Sequence, residues 1–240
     1  MKDKKNILLL HGWNYRNYTS QTSETDAWHN RSELVSELEK EFNVYKLNFP
    51  GFCGSPEPDK SWTLDNYAEF VSNHIKSLNV DIDYILGYSF GGAVAIRYKT
   101  NFKGKENLIL VSPAIIRTSN KSKKFAKTPK IFDGIRSFLR DLYIIHVVKT
   151  NEMVYGTKFL RKSYQSIARE DLKDEVKLLP KDEFVIIYGS DDEQVSPKKV
   201  MEYLGNTYEK NIEVVPGGKH NIGVTHSGET MKLIKSYVKK

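Results

Sequence analysis

Short apolar runs alternate with longer amphipathic stretches along most of the 240-residue chain. Most runs are apolar at consecutive positions instead of at every second one, which is typical of strands covered by helices on both faces. The alternation predicts an α/β fold with a mostly parallel sheet of about six strands and flanking helices. The predicted strands are residues 6–10, 43–47, 84–87, 107–111, 184–188 and 212–215.

Apolar residues at helical spacing predict crossover and terminal helices between these strands. They cover residues 32–41, 64–78, 93–100, 197–204 and 229–238. The alternation breaks only between Ser112 and Leu179, where no strand signal occurs and residues 131–148 and 158–167 have helical patterns. We therefore expect a helical insertion, residues 113–179, between two parts of one core, residues 1–112 and 180–240.

The most specific motif follows the third predicted strand. It reads Gly87-Tyr88-Ser89-Phe90-Gly91 and runs into a predicted helix, which fits the G-x-S-x-G nucleophile elbow in its strand-turn-helix context. A serine in so tight a turn needs a strained backbone, and the two glycines remove side chains that would clash there. The motif predicts that Ser89 Oγ projects from the carboxyl end of the sheet as a nucleophile.

With this motif the sequence resembles the α/β-hydrolase family, and two further turns support the resemblance. The first strand runs into His11-Gly12-Trp13, which is similar to the family's HG-x turn. The resemblance implies that the backbone N–H groups of Trp13 and Phe90 form the oxyanion hole and that His11 is structural.

The second supporting turn is a loop rich in glycine and proline. Residues 48–55 resemble the family's D-x-P-G-x-G-x-S loop, with Asn48 in place of the usual Asp and one residue inserted. The resemblance implies that this loop has a structural role.

A serine nucleophile needs a base, normally an imidazole oriented by a carboxylate. Residues 189–195 are similar to the family's G-x-x-D-x-x-V acid loop, which selects Asp192 and leaves its neighbour Asp191 as the alternative. Residues 217–220 are similar to the G-x-x-H turn, which selects His220, with His226 as the rival base. The motifs therefore predict a triad of Ser89, Asp192 and His220. The other histidines, His29, His74 and His146, suit packing or surface roles.

These residues favour a serine hydrolase that cleaves carboxylic esters through an acyl-enzyme, a carboxylesterase-like activity on a small-molecule or acyl-ester substrate. The resemblance implies that the epoxide hydrolases and haloalkane dehalogenases of this family use carboxylates as nucleophiles. A serine nucleophile therefore argues against both of these chemistries. Because the sequence has neither metal-ligand spacing nor a phosphate-binding glycine motif, we expect no metal and no cofactor. A ligand-binding protein that keeps the fold without catalysis is an alternative.

The net charge of +7 has a local origin. Residues 117–169, here called the basic segment, contain 13 Lys or Arg and three acids, whereas the rest of the chain is slightly acidic. By resemblance the insertion is a cap over the active site, and it has enough apolar residues to wall an acyl pocket. Because the insertion is positively charged, an alternative function is that of a thioesterase or lysophospholipase-like enzyme that binds an acidic carrier or an anionic lipid surface. The confinement of the charge to the cap argues against nucleic acid as a partner.

Cys53 is the only cysteine, which fits a reducing compartment. The apolar runs contain at most five residues, far fewer than a membrane span needs, and the run nearest the N-terminus, residues 7–10, is too short for a signal-peptide core. We therefore expect a cytoplasmic protein.

Overall fold

A computed structural model describes residues 4–116 and 150–239. Six strands form one sheet in which every neighbouring pair is parallel, in the order β2-β1-β3-β4-β5-β6. The predicted α/β fold and its six strands are confirmed. The strands are β1 (Lys5–Leu10), β2 (Phe42–Leu47), β3 (Tyr84–Tyr88), β4 (Asn107–Val111), β5 (Phe184–Gly189) and β6 (Ile212–Val215).

The described core contains all five helices that the apolar periodicity predicts, with boundaries that agree to within three residues, and one short helix that was not predicted. They are α1 (Ser32–Glu41), α2 (Leu64–Ser77), α3 (Phe90–Phe102), α7 (Pro197–Leu204), the short α8 (Ile222–Thr225) and α9 (Ser227–Val238). Helix α3 begins three residues earlier than predicted. Its first turn contains Gly91 and Gly92, which are weak helix formers, so the periodic pattern starts only at Ala93.

Both faces of the sheet are buried, as the consecutive apolar positions predict. In β1, Leu8 and Leu10 pack into one apolar cluster, while Ile7 and Leu9 pack into the cluster on the opposite face. Helices α2 and α3 cover the first face, and α1 and α9 cover the second. The parallel strands therefore have all their carboxyl ends at one edge, where the loops after β1, β3, β5 and β6 meet.

The described part of the predicted insertion contains three helices, α4 (Asn151–Tyr155), α5 (Lys158–Ile167) and α6 (Lys173–Val176). The helix predicted at residues 158–167 is confirmed at its exact bounds, whereas the one predicted at 131–148 lies outside the described residues. Most of the basic segment is also outside them. The division into core and cap therefore stays a prediction.

Arg97 of α3 connects the core to this region. Its guanidinium, mostly buried, pairs with Asp65 at 2.6 Å, with Glu170 at 2.9 Å and with Glu175 at 3.0 Å. Asp65 is on α2, so three carboxylates around one planar cation form a specific junction of α3 with α2 and with residues 170–175.

Among the residues described, no helix is both long and apolar enough to cross a membrane.

Candidate active site

Ser89 lies at the sharp turn between β3 and α3. Its backbone has φ 50° and ψ −107°, a conformation that residues other than glycine rarely adopt. A Cβ atom on Gly91 would lie 2.1 Å from the carbonyl oxygen of Leu10, and one on Gly87 would lie 2.6 Å from the carbonyl oxygen of Gly91. The steric reason for the two glycines is thus confirmed, because a side chain at either position would push β1 or α3 away from the turn.

The three side chains selected by the motifs form one hydrogen-bonded chain. His220 Nε2 lies 3.0 Å from Ser89 Oγ, and His220 Nδ1 lies 2.8 Å from Asp192 Oδ2. A carboxylate on Nδ1 favours the tautomer whose proton is on that nitrogen, which leaves Nε2 free to accept the serine proton. The geometry is therefore that of a nucleophile, a base and an orienting acid.

The structure separates Asp192 from its neighbour Asp191. The Asp192 side chain is fully buried, and its Oδ1 accepts hydrogen bonds from the N–H groups of Gln194 at 2.9 Å and Val195 at 3.0 Å. These two donors hold the carboxylate so that Oδ2 faces His220. Asp191 is exposed and accepts a hydrogen bond from Ser190 Oγ instead. Of the two candidates, only Asp192 contacts His220.

Tyr88, inside the serine motif, also holds the histidine loop. Its buried hydroxyl donates to the carbonyl oxygen of His220 at 2.9 Å and accepts from the N–H of Gly223 at 3.3 Å. The residue before Ser89 thereby fixes the backbone that carries His220. The sequence motif left this position undefined, so pattern reasoning missed its role.

Replacing Tyr88 with Phe should keep the ring packing but loosen the histidine loop. The carbonyl oxygen of His220 loses its donor and the N–H of Gly223 loses its acceptor, which together cost roughly 1–2 kcal/mol of unfolding free energy. We expect kcat for an ester to fall about tenfold with little change in KM, because the base, and not the substrate pocket, is displaced. Urea unfolding and steady-state kinetics of Tyr88→Phe measure the two effects, and an unchanged kcat would contradict the assigned role.

His11 is structural, in agreement with the expectation. It is buried, its Nε2 accepts the N–H of Phe49 at 3.0 Å, and its Nδ1 lies 2.9 Å from the carbonyl oxygen of Gly12. Burial disfavours the charged imidazolium and lowers the pKa of His11 from 6.5 to about 4. The neutral ring therefore joins the oxyanion turn to the loop after β2.

The lowered pKa of His11 predicts acid sensitivity. Between about pH 6.5 and pH 4 the unfolded chain binds a proton that folded His11 does not, so stability is complete above this window and falls as the pH drops through it. We expect the unfolding free energy to fall by about 2 kcal/mol from this group between pH 7 and pH 5. Urea titrations at both values should give a smaller drop for His11→Gln, and an equal drop would contradict the prediction.

Asn48, which stands in place of the usual Asp in the loop after β2, makes two hydrogen bonds through its side-chain amide. Its Oδ1 accepts the N–H of Ala27 at 3.1 Å, and its Nδ2 donates to the carbonyl oxygen of Thr25 at 2.7 Å. A carboxylate can only accept, so an ionised Asp could not make the second bond. The amide thus ties the loop after β2 to residues 25–27, which supports the structural role expected for the loop.

Ser89 borders two cavities. The inner one, of about 100 Å³, is lined by both apolar and polar side chains, and its lining includes Trp13 and Phe90, the residues proposed for the oxyanion hole. Phe90 is the first residue of α3, where the helix offers its N–H no internal acceptor. Among described residues, the inner cavity is lined by Trp13, Ser89, Phe90, Ala114, Glu152, Tyr164, Ile167 and Gln194.

The outer cavity, of about 460 Å³, is open and polar, and it contains both Ser89 and His220. Sequence reasoning missed most of its residues, among them Asn221, Arg31 and Glu152. Asn221 follows the predicted base directly, so the motif could have indicated it, whereas Arg31 and Glu152 lie in segments without a motif. Glu152 and Gln194 border both cavities.

The rival histidines lie elsewhere. His226 Nδ1 lies 2.8 Å from Thr225 Oγ1, and His29 Nδ1 lies 2.9 Å from the carbonyl oxygen of Asp26. Neither lines the two cavities at Ser89. His74 is on α2, and His146 lies outside the described residues. In the part of the chain that the structure describes, no group of three or more His, Cys, Asp or Glu residues is placed to hold a metal ion.

The fold and this site define an α/β hydrolase. The model of the alpha/beta hydrolase family matches residues 7–230, and the chain belongs to that family. The resemblance seen in the motifs is thereby confirmed.

Individual relatives are distant. The AB hydrolase superfamily protein YisY of Bacillus subtilis is 29% identical over 112 residues, which cover 45% of this chain and only 37% of that protein. Among solved structures, an esterase of Exiguobacterium antarcticum is 18% identical, with a TM-score of 0.65 over 100% of this chain and 94% of the other. A meta-cleavage product hydrolase of Pseudomonas fluorescens is 17% identical, with a TM-score of 0.67 over 99% and 91%. At these identities the structures share the fold.

Proposed function

We propose that the protein is a serine hydrolase that cleaves carboxylic esters of short acyl chains. The observation that carries the proposal is the continuous chain of hydrogen bonds from Ser89 through His220 to Asp192. Ser89 attacks the carbonyl carbon, His220 accepts its proton and returns it to the leaving alcohol, and Asp192 stabilises the imidazolium. Water, deprotonated by the same histidine, then releases the acid from the acyl-enzyme.

The oxyanion of the tetrahedral intermediate needs two hydrogen-bond donors. We assign these to the backbone N–H groups of Trp13 and Phe90, which border the inner cavity beside Ser89. Because both donors are backbone groups, substitutions other than to proline leave them in place, and the strained turn at Ser89 holds the second one.

The inner cavity supports a short acyl group. A volume of about 100 Å³ holds roughly three water-sized groups, which suits acetyl to butyryl chains. We expect kcat/KM for p-nitrophenyl esters to be highest from acetate to butyrate and to fall at least about tenfold by octanoate. A series from acetate to palmitate, with one thioester, tests this, and a maximum at octanoate or longer would contradict the size argument.

The thioesterase or lysophospholipase-like alternative rested on the charge of the basic segment. Only four of its basic residues are described, namely Lys158, Arg161, Lys162 and Arg169, so its main support lies outside the described residues. A long-chain lipid is also a poor match for the inner cavity. An esterase is among the structural neighbours, which agrees with ester cleavage. The lone cysteine supports the cytoplasmic location that we include in the proposal.

A further inference from the structure

The outer cavity carries positive charge on the side away from the acyl pocket. Arg16 and Arg31 line it but do not reach the inner cavity. The only acidic side chain among its described lining residues is Glu152, on the wall that the two cavities share. A substrate on Ser89 with its acyl group inside would therefore extend its alcohol portion toward two arginines.

Arg31 is held in place by neutral groups. Its Nη1 donates to Asn30 Oδ1 at 2.7 Å, its Nη2 donates to Asn221 Oδ1 at 2.8 Å, and its guanidinium carbon lies 4.2 Å from the centre of the Tyr88 ring. Amide oxygens and a ring face orient the guanidinium but do not neutralise its charge. In the described ranges, no carboxylate lies within ion-pair distance of Arg31, whereas Arg97 has three.

A second observation is an unused donor on the same side chain. Arg31 Nε is buried and has no hydrogen-bond partner among the described residues. Nε itself is enclosed, but the guanidinium has five N–H donors, of which one on each Nη is bonded to Asn30 or Asn221, and an anionic oxygen is the acceptor that gains most from such a group. The charge and the donor belong to one side chain on the wall that also holds His220 and Asn221.

We propose that Arg31 is the specificity residue of an anion subsite for the leaving group. The inference rests on the proposed function and narrows its substrates to esters whose alcohol portion carries a carboxylate or a phosphate. Arg31 binds the anion with charge-assisted hydrogen bonds while the acyl group occupies the inner cavity. Arg16, exposed on the same cavity, adds attraction at longer range.

The test compares 4-acetoxybenzoate with its neutral counterpart 4-acetoxybenzamide, and 4-acetoxyphenyl phosphate supplies the phosphate arm. We expect the better of the two anionic esters to have a KM about tenfold lower than that of 4-acetoxybenzamide. Comparing the KM values of the two anionic esters shows whether the subsite favours a carboxylate or a phosphate. Arg31→Gln should remove the preference for the anionic ester, so that the KM values of the anionic and the neutral ester become equal within about twofold. Arg31→Lys should restore part of it. The matched control Arg169→Gln removes an exposed charge outside both cavities and should keep the preference.

A binding measurement separates this inference from the proposed function. Titration with 4-hydroxybenzoate and 4-hydroxybenzamide, followed by tryptophan fluorescence because Trp13 lines both cavities, needs no turnover. Tighter binding of the anion that is lost in Arg31→Gln supports the subsite even if no ester is cleaved. Equal binding and equal KM of the anionic and neutral compounds, or a preference that survives in a folded Arg31→Gln variant, would overturn it.

Discussion

Ser89→Ala is expected to lower kcat for p-nitrophenyl acetate by at least about a thousandfold, because the variant has no nucleophile to form an acyl-enzyme. The remaining rate would come from the oxyanion donors and from binding alone. The substitution removes one oxygen from a turn whose backbone strain is already absorbed by the fold, so the variant should stay folded.

Burst kinetics provide the measurement. The parent should release p-nitrophenol in a rapid phase that matches the enzyme concentration if deacylation is slow, and Ser89→Ala should show no such phase at any substrate concentration. Ser77→Ala, which removes an exposed hydroxyl on α2, is the matched control and should behave as the parent. Near-parental turnover by Ser89→Ala would contradict the mechanism.

Asp192→Asn should have the second large effect. The asparagine can present its amide N–H₂ to His220 Nδ1, which would place the imidazole proton on Nε2 and leave no lone pair facing Ser89. We expect kcat to fall by roughly 10³- to 10⁴-fold, with a much smaller change in KM.

The neighbouring acid is a matched control for this prediction. Asp191→Asn removes the same charge one residue away, at an exposed position that contacts Ser190 instead of His220. It should change kcat by less than about threefold. Steady-state kinetics at neutral pH compare kcat of the two variants. A larger loss of kcat in Asp191→Asn than in Asp192→Asn would contradict the assignment of Asp192.

Much of the fold follows from the sequence because its strands are buried on both faces. Consecutive apolar runs such as residues 107–111 leave little choice of element, and that strand has its predicted bounds. The start of α3 was misplaced because the glycines that relieve the turn at Ser89 also erase the helical pattern. Steric requirements and helix propensity conflict there, and the steric requirement prevails.

The candidate triad could be predicted because each member lies in a short sequence motif at the end of a strand. Glycine spacing fixes the turns at Ser89 and His220, and N–H donors two and three residues after Asp192 fix its carboxylate. Tyr88, Arg31 and Glu152 could not be predicted in the same way. They enter the site through tertiary contacts between distant segments, which no local spacing records.

The central claim, a nucleophilic Ser89 activated by His220, is tested most directly by covalent labelling with a fluorophosphonate. The native protein should gain one phosphonyl group per chain, and peptide mass spectrometry should place it on Ser89. His220→Ala should label far more slowly, and protein unfolded in urea should not label, because reactivity depends on the folded triad. A native protein that resists the reagent, or one labelled at any other residue, would contradict the account.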